Sequence, residues 1–347
     1  MKRTVALIFG GEGVEHQISE ASARNIASLI DTDTYDLLLV GITHCGEWYI
    51  YNGTRDKIEN GAWQKDKKQL VKTYPVKLGG ESGFLSDGKI ISVCCAIPCL
   101  HGNFGEDGII QGALTAAHIN YVGQDIYASA STSDKSYTKL AAEYLRIPTA
   151  RYIVSTAQNP KIARTDAEKK LKYPMFLKPA RLGSSYGAHP VRNAEDFEKA
   201  YTDAYSYDGR VLIEELVDVR YELECAFLES EGILLAPYGK ITTDGTFYDY
   251  DKKYKSPSKA CAKVDVDGIE RRIKEAVIHY SEKLVRFLGL RYLSRIDFFV
   301  TPENEIYFNE INAFPGMTKS SLYPALTETM GLERGAFINA LIKSCCK

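Results

Sequence analysis

Leu293-Ser294-Arg295-Ile296-Asp297-Phe298-Phe299, followed closely by Tyr307-Phe308-Asn309-Glu310-Ile311-Asn312, are two apolar runs carrying acids and amides at a fixed offset. Side chains two apart on a strand share a face, so Glu310 and Asn312 line one surface, and Arg295 and Asp297 line another. If the two strands are neighbours, those surfaces merge. Asp297, Glu310 and Asn312 are then oxygen donors of the kind a Mg²⁺ ion takes. Two amphipathic strands with solvated acids carry the same pattern. The turn signal Ala313-Phe314-Pro315-Gly316-Met317, entered straight from Asn312, favours strands that end at a site.

A cation, a metal site and apolar strands beneath them suggest the handling of a nucleoside triphosphate, and the bulk composition is consistent with that. The chain has 347 residues, long for one core, with 45% hydrophobic and 25% charged residues. A net charge of -2 gives no reason to expect nucleic acid or an anionic membrane as partner. No run of about 18 apolar residues exists, so membrane insertion is not expected. The apolar stretch 5–9 is too short for a signal-peptide core. The eight cysteines form no CxxC pair, and buried thiols in a reducing cytoplasm are the expectation.

Along the chain, strand and helix signals alternate first. Residues 4–9, 35–42 and 90–98 read as strands, 15–30 and 108–118 as helices, and 121–123 as a short strand. The stretch 51–89 is polar and pattern-poor. This predicts an open parallel α/β sheet. A helix over 133–144 is stopped by Pro148. Strands at 152–154, 175–179 and 211–214, with a helix at 195–205, begin a second pattern. The last third mixes strands (222–228, 232–237, 292–300, 305–311) with helices (269–288, 332–344), an α+β arrangement.

Three further segments carry chemistry. Phe9-Gly10-Gly11-Glu12-Gly13-Val14-Glu15-His16 joins the first strand to the first helix, where glycines and a helix N-terminus favour an anion. Its spacing departs from GxGxxG. Glu15 is either a first-turn acid or a carboxylate for a substrate ammonium. His101-Gly102-Asn103-Phe104-Gly105-Glu106-Asp107-Gly108 occupies the strand-to-helix position where open α/β sheets bind ligands. In Lys178-Pro179-Ala180-Arg181-Leu182-Gly183-Ser184-Ser185-Tyr186-Gly187 a lysine ends an apolar strand, which is costly unless it meets charge. The loop after it can fold backbone donors over phosphate. Val211 to Val217 ends a strand with Glu214 and Glu215 and reads as a hinge for adenine, with Glu222 within reach of ribose. The aromatic, charged stretch 245–254 reads as a lid.

Together and in order, these motifs resemble the D-alanine–D-alanine ligases of the ATP-grasp superfamily over essentially the whole chain. The anchors are Gly10-Gly11 with Glu15-His16 and Ser19, His101-Gly102 with Gly105 to Gly108, Lys178-Pro179 with Gly183-Ser184-Ser185, Tyr248-Asp249-Tyr250 with Lys253-Tyr254, Arg295-Ile296-Asp297, and Asn309 to Asn312 with Pro315 to Thr318. The resemblance implies three domains, 1–130, 131–218 and 219–347, with ATP clamped between the last two. It also implies a reaction: a D-alanine carboxylate takes the γ-phosphoryl group, and a second D-alanine attacks the acyl phosphate, in peptidoglycan precursor synthesis. Asp297, Glu310 and Asn312 would hold two Mg²⁺ ions, with Mn²⁺ as a substitute. Lys135, Lys178 and Lys253 would meet phosphate, and Glu214, Glu215, Val217 and Glu222 the nucleoside. Glu15 would hold the first ammonium in a set with Ser184 and Tyr254. Arg295 and the Gly316 N–H would stabilise the oxyanion, and His101, Ser321 and Leu322 would line the substrate site. A homodimer is implied too.

The second substrate is the finer question. Lys253-Tyr254 keeps the tyrosine that D-lactate ligases replace. Ser321-Leu322-Tyr323-Pro324 and Glu15-His16 look like the D-alanine form, whereas D-serine ligases tend to carry Ser-Arg-Tyr-Pro and Glu-Tyr. Gly41-Ile42-Thr43 with Gly46-Glu47-Trp48-Tyr49 is nevertheless similar to the D-serine type. Ser133 before Asp134-Lys135 (more often Met), Gly13 (commonly serine) and the short Lys259-Ala260-Cys261-Ala262 depart from the family pattern. Another ATP-grasp carboxylate–amine ligase, or a non-catalytic nucleotide-binding regulator, remains a rival reading.

Overall fold

The first strand, β1 (Arg3–Gly10), is fully buried from Val5 to Phe9, as a central strand covered on both faces must be. The computed structural model describes residues 2–229, 233–241, 262–264, 268–329, 331–333 and 335–346. Helix α1 (His16–Leu29) lays Ile18, Ala23, Ile26 and Ala27 on the sheet. Strand β2 (Tyr35–Ile42) pairs in parallel with β1. The next two, β3 (Trp48–Tyr51) and β4 (Leu70–Lys72), extend the edge antiparallel. Strands β5 (Tyr74–Leu78), β6 (Glu81–Ser86) and β7 (Lys89–Ser92) form a separate antiparallel sheet before β8 (Cys95–Pro98) returns parallel to β1. The first sheet thus runs β4-β3-β2-β1-β8.

Three expectations need correction here. The run 90–98 is two strands in different sheets, divided at Val93-Cys94. The pattern-poor stretch holds β4 to β6, whose residues are largely half-exposed and lack an apolar alternation. Tyr121 makes only an isolated bridge to Ala96.

Helices α2 (Ile109–Ala116) and α3 (Ile126–Ser133) lead to α4 (Lys135–Tyr144), which Asp134 caps by accepting from the Ser136 N–H. Next come β9 (Tyr152–Ser155), α5 (Pro160–Glu168), β10 (Met175–Pro179), β11 (His189–Val191), α6 (Ala194–Tyr207) and β12 (Val211–Glu215). The sheet is antiparallel, ordered β11-β10-β12-β9. Helix α5 was not expected, although its Asn159 cap and Pro160 at the first turn are ordinary start signals.

The last part contains β13 (Tyr221–Glu229), β14 (Ile233–Ile241), β15 (Ala262–Val264), α7 (Arg271–Leu288), β16 (Leu293–Val300), β17 (Ile306–Asn312), α8 (Leu322–Thr329) and α9 (Ala336–Cys345). Its antiparallel sheet runs β15-β14-β13-β16-β17. Period-2 alternation decides its two faces. Leu223, Cys225, Phe227, Ile296 and Phe298 pack in one core with Ile273, Val277 and Leu284 of α7. Glu224, Arg295 and Asp297 alternate with them onto the other face.

Helix α9 returns to the beginning of the chain. Its Phe337, Ile338, Leu341 and Ile342 share one core with Val5, Leu7 and Phe9. Cys94 and Cys346 are joined as a disulfide, with Cα atoms 5.0 Å apart. Cys95, Cys99, Cys225 and Cys345 are buried free thiols and Cys45 is exposed. The expectation of thiols alone fails for the pair because α9 crosses the first sheet, which linear spacing cannot reveal. Among the described residues no helix is long and apolar enough to cross a membrane.

Candidate active site

The β16–β17 register sets Asp297 opposite Glu310 and Arg295 opposite Asn312, and β13 brings Glu224 opposite Asp297. Three carboxylates therefore stand in a row across three strands on the face away from α7. Arg295 donates Nε to Asp297 Oδ1 at 2.8 Å and Nη2 to Oδ2 at 2.7 Å, a bidentate pair. Its Nε also lies 3.4 Å from Glu224 Oε1. Burial works against the guanidinium charge, but Asp297 and Glu224 outweigh it and hold the cation firmly. Asn312 Nδ2 donates to Asp297 Oδ2 at 2.9 Å. Glu224 was missed in the sequence. Glu222, expected near ribose, stands two residues earlier on the same strand, opposite Phe299.

A second cluster joins β10, β12 and α4. Lys178 Nζ donates to Glu214 Oε2 at 2.8 Å and to Asn309 Oδ1 at 3.1 Å. Lys139 binds the other Glu214 oxygen and reaches Thr149 Oγ1 at 2.6 Å. Burial raises the Glu214 pKa, but Lys139 and Lys178 outweigh it and keep the carboxyl below its ordinary value. Both Glu214 oxygens are thus held by lysines. Glu215 pairs with Arg151 at 3.1 Å, and Val217 is half-buried beyond β12. Lys139 was missed because it is far from Glu214 in sequence.

From the other side, Glu15 stands at the N-cap of α1 and accepts from Ser184 Oγ. Ser184 and Ser185 both adopt left-handed backbone, φ 52° and 59°, a conformation that costs a non-glycine residue energy and concentrates at functional loops. Gly102 is required where it is: φ is 65°, and a Cβ there would collide with the Glu15 carboxylate. His101 is buried, its Nε2 3.0 Å from Ser22 Oγ and its Nδ1 3.2 Å from the Phe314 carbonyl. Burial disfavours the imidazolium, yet contacts with Cys99 and Glu106 outweigh it, and the His101 pKa is raised to about 10. Thr318 N–H donates to Ser321 Oγ at 3.0 Å, and Leu322 opens α8.

These parts converge on one cleft of 180 Å³. Glu15, His101, Lys135, Ser184 and Arg295 line it, as do Glu310, Asn312, Gly316, Ser321 and Leu322. Lys135 is a buried residue of the cleft wall, its Nζ 2.7 Å from the Leu182 carbonyl and 3.5 Å from Glu310 Oε2. Asp297 sits behind Arg295. Lys178, Glu214, Glu215, Val217 and Glu222 lie off this wall. Lys253, Tyr254 and the expected lid stretch 245–254 lie outside the described residues.

The cleft thus sets carboxylates (Glu15, Glu224, Glu310), cations (Lys135, Arg295) and an apolar side chain, Leu322, side by side. The family model "D-ala D-ala ligase N-terminus" matches residues 4–124, and "D-ala D-ala ligase C-terminus" matches 142–343. The D-alanine–D-alanine ligase of Ruminiclostridium cellulolyticum is 35% identical, covering 99% of this chain and 95% of that protein. The crystal structure of VanG D-Ala:D-Ser ligase from Enterococcus faecalis superposes with a TM-score of 0.88 at 32% identity, over 99% of both chains. The D-alanine-D-alanine ligase of Coxiella burnetii gives 0.85 at 25%, over 99% and 94%. Matched in both parts and along its whole length, the chain belongs to the D-alanine–D-alanine ligase family.

Proposed function

We propose that this enzyme joins two D-alanines to D-alanyl-D-alanine at the cost of ATP, through an acyl phosphate, for peptidoglycan precursor synthesis in the cytoplasm. The observation that carries the reading is the convergence of Glu15, Ser184, Arg295, Gly316 and Leu322 on one cleft. Glu15, oriented by Ser184, holds the ammonium of the first D-alanine. Lys135 and Lys178 hold phosphate, with Lys253 as a third contact. Glu214 acts through Lys178, and Glu215, Val217 and Glu222 bound the nucleoside. The first carboxylate takes the γ-phosphoryl group of ATP. The amine of the second D-alanine then attacks the carbonyl, and phosphate leaves the tetrahedral species. Arg295 and the Gly316 N–H stabilise the oxyanion of that species. His101, fixed between α1 and the Phe314 carbonyl, holds the two walls of the substrate site in register, and Tyr254 closes it.

The donor set of Asp297, Glu310 and Asn312, with Glu224 beside them, fits a hard dication, because all can offer oxygen. Such Mg²⁺ or Mn²⁺ ions neutralise charge on phosphate when bound. The division into units 1–130, 131–218 and 219–347, and a homodimer, complete the proposal. Sedimentation of the purified chain tests the dimer.

A second reading, D-serine as the acceptor, is favoured by the likeness to the VanG ligase over nearly the whole chain. Leu322 on the cleft wall argues for D-alanine, since an apolar wall offers the D-serine hydroxyl no partner. Phosphate release with ATP and Mg²⁺ against D-alanine, D-serine, D-lactate and L-alanine decides. Turnover with D-alanine and none with L-alanine is expected. Equal turnover with L-alanine, or none with any D-substrate, rejects the proposal.

A further inference from the structure

Four of the eight cysteines meet at one place remote from the cleft. Cys94 and Cys95 lead into β8, while Cys345 ends α9 and Cys346 caps it. The sulfurs of Cys94, Cys95 and Cys346 all lie within 4.8 Å of one another. Cys345, next along the chain to Cys346 and buried, has its thiol close to that of Cys95 but outside that set of three. Cys95, Cys345 and Cys346 are buried and Cys94 is half-buried, so the group is enclosed with one entry side. Cys345 and Cys346 also lie beyond residues 142–343 matched to the family model. Nothing in the ligase reaction uses them.

The spacing suits a metal. Zinc–sulfur bonds of about 2.3 Å in a tetrahedron set sulfurs about 3.8 Å apart, so once the Cys94–Cys346 bond is reduced those two sulfurs part, and the neighbouring Cys345 thiol turns in to complete the geometry. The surroundings suit the charge. Four thiolates around Zn²⁺ leave two surplus negative charges, and two arginines are at hand. Arg3 donates Nη1 to the Cys346 carbonyl at 2.6 Å, and its charge acts on Cys95. The charge of Arg291 acts on Cys345, and its guanidinium packs 5.9 Å from the Tyr121 ring and 5.7 Å from that of Tyr292. The buried Nε of Arg291 has no hydrogen-bond partner among the described residues, an orphan donor beside a sulfur cluster.

We propose that Cys94, Cys95, Cys345 and Cys346, when reduced, form a closed four-thiolate Zn²⁺ site that staples the last helix to the first sheet. The Cys94–Cys346 disulfide is its oxidised, metal-free form. A phosphine reductant and water convert that disulfide to two thiols and phosphine oxide. Zn²⁺ then displaces the four thiol protons. The ligand class follows from the donors: soft thiolates in a tetrahedron take zinc or an iron–sulfur cluster, and the enclosed space favours the single ion.

The test uses the full chain. It is reduced anaerobically with phosphine, given Zn²⁺ or Co²⁺, desalted and assayed for metal. About one ion per chain, with the intense thiolate-to-cobalt absorption of sulfur ligation, is expected. The disulfide form should take none. Cys345→Ser with Cys346→Ser should lower stoichiometry at least about tenfold, since a two-thiolate remnant leaves half the ligand set. Cys45→Ser should change nothing. D-alanine-dependent phosphate release by the variants shows that they are folded, because none of the four cysteines lines the cleft. If the double variant is insoluble, the wild-type cobalt spectrum decides alone. No metal after reduction, no thiolate absorption, full stoichiometry in the double variant, or iron with inorganic sulfide would each overturn the site.

Discussion

Two charged clusters meet at β17, built from the same kinds of residue with opposite surplus. On the β10–β12 side, Lys139 and Lys178 share one carboxylate, Glu214. On the β13–β16–β17 side, Glu224 and Asp297 share one guanidinium, Arg295, and Glu310 lies 3.5 Å from Lys135, so among the described residues three carboxylates face two cations. Asn309 and Glu310, adjacent on β17, connect them. A cluster with spare positive charge accepts phosphate, and one with spare negative charge accepts a metal ion. On the reading proposed above, the two together would receive a metal–nucleotide complex.

The most damaging way to break this comparison is to remove the guanidinium at the centre of the acidic side. Arg295→Met should lower kcat by at least about 1000-fold, since it deletes an oxyanion stabiliser. It should also cost about 3–5 kcal/mol of stability, because Glu224 and Asp297 lose their buried partner. Steady-state kinetics and urea unfolding read the two effects. A variant with both near wild type would remove Arg295 from the centre of the cluster.

Glu310→Gln tests the surplus itself. Activity should fall about 100-fold, the usual loss of one electrostatic stabiliser, with the apo protein's melting point nearly unchanged. Excess Mn²⁺ should recover part of it. Near-normal turnover at ordinary Mg²⁺ would show that the metal lies elsewhere.

Glu214→Gln addresses the basic side and should act first on stability, by about 3 kcal/mol, as two buried lysines lose their counter-charge. Its pH dependence has a definite sign. The folded Glu214 pKa lies below its unfolded value, so its stabilisation is complete above about pH 4.3 and is lost as pH falls through the folded value. The gap between wild type and variant should be constant near neutrality and close in acid. A gap that widened on acidification would refute the assignment of charge.

Leu322→Arg should have the smallest effect, leaving both clusters alone. Selectivity should move toward D-serine by about 10-fold and at most about 100-fold, the range for a hydroxyl gained or refused in such a pocket. Mass spectrometry of dipeptides from equal D-alanine and D-serine measures it. Wild type making mainly D-Ala-D-Ser would show that the VanG-like reading is the correct one.

What could be read in advance depended on whether a local pattern carried it. Strands β1, β2, β16 and β17 were legible because apolar runs or period-2 acids mark them. Glu15, Ser184 and Arg295 were legible through short motifs. Glu224 was not, because only the pairing of β13 with β16 sets it opposite Asp297. The Lys139–Glu214 pair and the Cys94–Cys346 contact join distant segments and leave no local mark. Strands β5 and β6 were hidden by partial exposure, which removes the alternation that betrays a strand.

The core shared by Val5, Leu7, Phe9, Phe337, Leu341 and Ile342 has a consequence for how the molecule is made. Synthesis runs from the first strand toward α9 at roughly 5–20 residues per second. For on the order of 15–60 s on the ribosome, the part of the first sheet's apolar face beside α1 therefore waits uncovered. That interval invites chaperone binding, and ribosome-stalled chains lacking α9 should remain protease-sensitive within β1 and β2. Early protection of those strands would show that the sheet finds temporary cover before its own last helix emerges.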